Sequence, residues 1–179
     1  NGTSDVVFQY TGGDCQIGFW MDGTDAWRGQ GIAEPAGWDV LGAYDMDSSG
    51  KADIVMFGNV VLNGVRSAYI GYRFDGDMNT WKTIGFLTNR DNIQWTIKLG
   101  NITGADGKNS IVWHAPELGA LGVWIDGTDE WKSISGCFNG SWELCGTGDF
   151  NGDDTDEILL RNNDSYYMTD LNGMLTRLG

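Results

Sequence analysis

Asp45, Asp47, Ser49 and Asp53 stand on alternate positions of one short segment, with Lys51 filling the gap in the series. Asp149, Asn151, Asp153 and Glu157 repeat that spacing further on, with Thr155 in the place of Lys51. Oxygen-bearing side chains on every second residue of a tightly coiled loop converge on one centre. Three carboxylates so placed repel one another unless a cation sits between them. A set made only of carboxylate, amide and hydroxyl oxygens suits a hard cation such as Ca²⁺, which takes six to eight oxygens at about 2.3–2.6 Å. Lys51 and Thr155 fall at the seventh place of each loop, where calcium loops use a main-chain carbonyl. Two structural Ca²⁺ sites are therefore expected, at Asp45/Asp47/Ser49/Lys51/Asp53 and at Asp149/Asn151/Asp153/Thr155/Glu157. Gly50 gives the first loop a permissive backbone.

The flanking residues say what must hold these loops. Trp38–Phe57 and Trp142–Arg161 align without a gap, each a short strand, the oxygen-rich turn and a second apolar strand. The EF-hand alternative fails, because its twelfth loop position is Leu160, inside an apolar strand, and no helical period flanks the turn. Trp95–Trp113 is a third copy in shifted register. There Asn101, Thr103 and Ser110 replace acids, so weak or absent metal is expected. Asn1–Phe8 matches the second half of the unit alone. Phe19–Trp27 and Val123–Trp131 repeat a second segment, including an Asp-Gly turn. The chain thus divides at about 1–37, 38–94, 95–141 and 142–179 into four repeats of four strands, the first lacking its first strand, or fifteen strands in all. Trp38 to Trp95 spans 57 residues against 47 from Trp95 to Trp142. The excess is expected in a surface loop with its tip near Asn63-Gly64-Val65-Arg66.

These stretches carry a resemblance. Gly148–Leu159 and Asp45–Val55 resemble the FG-GAP/VCBS repeats of integrin-α-like β-propellers, and the likeness extends over nearly the whole chain. It implies an all-β propeller of about four blades of four-stranded antiparallel sheet, with the calcium loop between the first two strands of a blade. It further implies an extracellular or cell-surface binding and adhesion module whose partner is a glycan or a protein. Because the chain opens within a repeat, the expectation is a piece of a longer array, or one completed by another copy.

Composition bounds the rest. Eleven Lys and Arg against twenty-five Asp and Glu give a net charge of −14, which argues against nucleic acid or an anionic membrane as partner. With 28 Gly, 2 Pro and 9 Trp the chain is punctuated for many short strands, and no run approaches a membrane span. The three cysteines lack metal-ligand spacing; Cys137 and Cys145 flank one short connection, and both the bridged and the free forms stay open. Trp38, Trp95 and Trp142 share one repeat position and Trp27, Trp81 and Trp131 another, which reads as packing between repeats. Trp20, Trp113 and Trp124 read as core. Asp22 and Asp126 sit in Asp-Gly turns, where a carboxylate bonds its own backbone. The single histidine, His114, follows a core strand without a nucleophile or acid at a catalytic spacing, so its role reads as structural and no catalytic residue is assigned. The alternatives to a binding module are an architectural segment of a large secreted protein and, last, a polysaccharide-active enzyme.

Overall fold

The computed structural model describes residues 6–10, 16–20, 24, 26–33, 38–62, 65–73, 77, 79–88, 93–105 and 108–178. Fifteen strands form four antiparallel sheets, and no helix occurs among the described residues. The first sheet holds β1 (Val6–Gln9), β2 (Gln16–Trp20) and β3 (Trp27–Ala33). The second holds β4 (Trp38–Tyr44), β5 (Asp53–Leu62), β6 (Val65–Arg73) and β7 (Lys82–Thr88). The third holds β8 (Thr96–Gly100), β9 (Ser110–Ala115), β10 (Ala120–Trp124) and β11 (Trp131–Ser133). The fourth holds β12 (Trp142–Gly148), β13 (Glu157–Asn162), β14 (Ser165–Thr169) and β15 (Thr176–Arg177). Each sheet is a meander in which every strand pairs with its sequence neighbour.

Register explains why the third copy is out of step. β4 and β5 slip between Val40 and Gly42, and β12 and β13 slip at the equivalent place, between Leu144 and Gly146. Each slip is a bulge that spends one extra residue on the first strand. β8 and β9 pair without one, from Thr96↔His114 to Gly100↔Ser110. The unbulged strand needs one residue fewer between Trp95 and Asn101 than its relatives need between Trp38 and Asp45 or Trp142 and Asp149.

Alternation along each second strand places apolar side chains on both faces, and the second and third sheets each pack against two neighbours. Ile54 and Met56 join Ile17 and Phe19 of the first sheet, while Val55 turns the other way. Val55, Ala68, Ile70 and Tyr72 meet Ile111, Trp113 and Trp124 of the third sheet. Val112, Leu121 and Val123 meet Leu144, Ile158 and Leu160 of the fourth. The face of Ile54, Ile111 or Ile158 thus meets the preceding sheet, and the face of Val55 or Val112 meets the following one. Trp113 is fully buried and touches Phe57 edge-on at 6.4 Å, from the second sheet, and Trp124 at 4.7 Å. Gly85 leaves room for Trp124, since a Cβ there would lie 3.1 Å from its ring.

Three expectations are corrected here. The extra length of the second repeat goes chiefly into strand: β5 and β6 have ten and nine residues where β9 and β10 have six and five. Val61 pairs with Arg66 and Leu62 with Val65, while Asn63 and Gly64 lie outside the described residues. The tryptophans divide by position. Trp38, Trp95 and Trp142 pack against the inter-sheet clusters. Trp81 and Trp131 are exposed and lie on their own sheets, Trp81 edge-on to Trp38 at 5.1 Å and Trp131 edge-on to Trp95 at 6.5 Å. Trp20 is exposed rather than core. The side chain of Trp27 lies outside the described residues.

Candidate cation-binding loops

The loop between β4 and β5 gathers Asp45, Asp47 and Asp53 so that one oxygen from each lies within 4.8 Å of the others, the one such triad among the described residues. Backbone amides hold the carboxylates in place. Ser49 N–H donates to Asp45 Oδ1 and Asp47 Oδ1, both at 3.0 Å, and Gly50 N–H donates to Asp45 Oδ2 at 2.8 Å. Asp53 is completely buried and accepts from Met46 N–H at 2.8 Å. Burying a carboxylate is costly unless it is hydrogen-bonded or paired with a positive charge. Ser49 and Lys51 lie on the exposed rim, where Ser49 Oγ accepts from Lys51 N–H at 3.3 Å.

The loop between β12 and β13 is built alike. Asp149 accepts from the amides of Gly152 at 2.6 Å, Asp153 at 3.1 Å and Asp154 at 3.1 Å. What desolvation there is pushes the Asp149 carboxyl up, but the amides of Gly152, Asp154, Asp153 and Asn151 together draw its pKa below the ordinary value. Glu157 is buried and accepts from Phe150 N–H at 3.0 Å, the counterpart of the Met46 to Asp53 bond. Thr155 N–H donates to Asp153 Oδ1 at 2.9 Å. Here the acids are not drawn into one triad. Asn151 instead points its amide nitrogen at Asp153 Oδ2, 3.0 Å away, and at Glu157 Oε1, 2.7 Å away. That NH₂ occupies the place between carboxylates that a cation would take, and a half-turn of the amide presents Oδ1 instead. The donors of both loops are all oxygen and built on one backbone plan, the donor type a hard cation takes, but only the loop between β4 and β5 brings three carboxylates together.

The shared plan is visible in the dihedrals. The fourth and sixth loop positions take positive φ in both copies: Ser48 at 64° and Gly50 at 81° in one, Gly152 at 82° and Asp154 at 66° in the other. Glycine therefore changes place between the copies while the backbone does not. Asp tolerates this region better than most side chains, its short carboxylate bonding locally.

The third loop replaces convergent acids with an internal clasp. Asp126, in the turn between β10 and β11, accepts from Thr103 Oγ1 at 2.6 Å and from Ser110 Oγ at 3.3 Å, while its own N–H donates to Ser110 Oγ at 3.0 Å. The Asp126 carboxylate bonds the loop between β8 and β9 rather than its own turn as expected. Ser110 is wholly buried at the position of Asp53 and Glu157. Neighbouring Gly127, at φ 70°, backs onto the loop between β4 and β5, where a Cβ would lie 2.8 Å from the Met46 carbonyl oxygen. Asp22 lies outside the described residues.

The loops also bond one another. Asn101 N–H donates to Asp156 Oδ2 at 2.8 Å and Asp156 N–H donates to the Asn101 carbonyl at 2.9 Å. Thr147 Oγ1 donates to the Leu99 carbonyl at 2.5 Å, and Asn109 Nδ2 donates to the Asp45 carbonyl at 3.2 Å. Burial, and then the nearby Asp156 carboxylate, raise the Tyr44 phenol above its ordinary pKa. Asp126 and Asp156 are the residues that motif reasoning missed, since their partners lie 23 and 55 residues away in sequence.

The remaining reactive groups are accounted for. His114 is buried, and its Nε2 lies 2.9 Å from the Phe138 carbonyl; an oxygen that only accepts makes Nε2 the protonated nitrogen. That bond ties the strand of His114 to the segment at Phe138. Cys137 and Cys145 are both free thiols in this structure, and Cys15 lies outside the described residues. Comparison with known protein families, characterised proteins and solved structures finds no match to this chain.

Proposed function

We propose that the chain is a calcium-stabilised, propeller-type β-repeat module of the cell exterior that binds a glycan or a protein. The observation that carries this reading is the recurrence of one loop backbone, with positive φ at the same two positions, around oxygen ligands at the same spacing. Asp45, Asp47, Ser49 and Asp53 would hold one ion and Asp149, Asn151, Asp153 and Glu157 the other, with the main chain at Lys51 and Thr155. The ion would supply charge neutralisation and a tie between two strands. Four successive meanders packed face to face suit a propeller arrangement. The extracellular setting and the partner rest on the resemblance of the loops to FG-GAP/VCBS repeats.

The test is the melting temperature of the metal-stripped protein with and without Ca²⁺, alongside Asp45→Ala and Asp149→Ala. A ligand that binds only the native state stabilises it by about 2.7 kcal/mol at a hundredfold excess over Kd. A rise that each variant partly loses supports two ions. A flat response removes calcium from the proposal. Binding separates from pure architecture on a glycan array, where substituting exposed aromatics such as Phe86 or Trp81 abolishes a hit. Catalysis ranks last, and His114, bonded inside the core, lends it no support.

A further inference from the structure

The two terminal sheets each carry a copy of a face that is buried everywhere else in the chain. On the first sheet, Val6 pairs with Trp20 and Phe8 with Gly18, in the register by which Ile111 pairs with Trp124 and Trp113 with Gly122 on the third. The aromatic pairs match as well: Phe8 and Trp20 lie 4.5 Å apart at 66°, Trp113 and Trp124 4.7 Å apart at 66°. Yet Trp113 and Trp124 are 0% and 2% exposed, sealed against the second sheet, whereas Phe8 and Trp20 are 37% and 42% exposed.

The fourth sheet shows the converse. The residue after the first loop ligand is Met46 in the second sheet and Ile102 in the third, 4% and 3% exposed, each packed into the cluster shared with the following sheet. In the fourth it is Phe150, 47% exposed. Leu159, at the place of the fully buried Val55 and Val112, is only partly covered, as is Met168 opposite it. Three inter-sheet clusters occur among the described residues, joining first to second, second to third and third to fourth sheets. None joins the fourth to the first.

We propose that a second copy of this chain covers these faces head to tail: Val6, Phe8 and Trp20 of one copy dock on Phe150, Leu159 and Met168 of the other. The contact continues the packing that joins the sheets within one copy, with the same rows and the same aromatic pair. It is heterologous, so it leaves one free face of each kind on a dimer and either closes into a ring or extends. The net charge of −14 opposes approach of two copies, so association strengthens as salt screens it.

Sedimentation velocity of the intact chain over a concentration series in physiological salt tests this. Concentration-dependent association is expected, and Trp20→Ser and Phe150→Ser each abolish it. Mixing the two variants restores association that stops at two copies, because only the intact first face of one and the intact fourth face of the other remain. Both side chains are exposed, so the variants should melt like the parent; Phe8→Ser replaces Trp20→Ser if the latter unfolds. A parent that stays monomeric at its solubility limit overturns the proposal. So do variants that associate like the parent, or a mixture that stays monomeric.

Discussion

Asn101 and Asp156 clasp each other across two sheets: each donates its backbone N–H to the other, Asn101 to the Asp156 carboxylate and Asp156 to the Asn101 carbonyl. Asp156 lies between Thr155 and Glu157, so this clasp fixes the exit of the loop between β12 and β13 from outside its own hairpin. The carboxylate arm is a charge-assisted bond, worth about 1.5–3 kcal/mol. Asp156→Ala is expected to lower stability by about that much, or by several degrees of melting temperature for a chain of this size. Asp156→Asn should recover part of the loss. Chemical denaturation of the three proteins checks this, and a wild-type midpoint for Asp156→Ala would assign the clasp no energetic weight.

Asp126 stands in for loop acids by a different route. Its carboxylate receives the Thr103 and Ser110 hydroxyls, so Asp126→Ala takes the acceptor from two hydroxyl protons in a partly or wholly buried place. The expected cost is about 2–4 kcal/mol, combining the lost bonds with the unsatisfied groups left behind. Asp126→Asn should cost less, because Asn tolerates φ 48° and still offers one acceptor. Hydrogen exchange at Ile111 and Val112 measures the local effect. Equal protection in Asp126→Ala and the parent would show that the clasp carries no load.

Cys145 offers a pH readout. Burial, and then the Glu143 carboxylate, push its thiol pKa above the ordinary value, against smaller opposing pulls from Arg161 and Lys98. Alkylation requires the thiolate. Its rate at Cys145 should therefore rise with pH through a midpoint displaced to the alkaline side, and Glu143→Gln should move that midpoint down. Peptide mapping of alkylated protein isolates Cys145 from Cys137. A midpoint at the ordinary thiol value in both proteins would count against this electrostatic assignment.

Much of this arrangement could be read before any coordinates. Trp38–Phe57 and Trp142–Arg161 align without a gap, and strand, turn and strand follow from period-two alternation around a turn rich in acids, which is local information. Fifteen strands in four meanders follow from repeating that unit. What escaped was non-local. Asp126 sits in what looks like an ordinary Asp-Gly turn until folding brings it beside Thr103, and Asp156 reads as one more acid in an acidic loop. The bulge residues Leu41 and Cys145 look unremarkable in sequence, yet their absence from the third copy shifts its register. Trp20 failed as a core residue because its burial depends on a neighbouring sheet, not on its own strand.

The meander connectivity has a bearing on how the chain acquires its structure. Within each sheet every strand pairs with the one before it, so the first sheet can form before the last residues leave the ribosome. Each later sheet then condenses on a finished surface, as in linear repeat proteins whose stability is a sum of unit and nearest-neighbour terms. Pairings of short sequence separation also close with little loop entropy, which favours rapid assembly for an all-β chain.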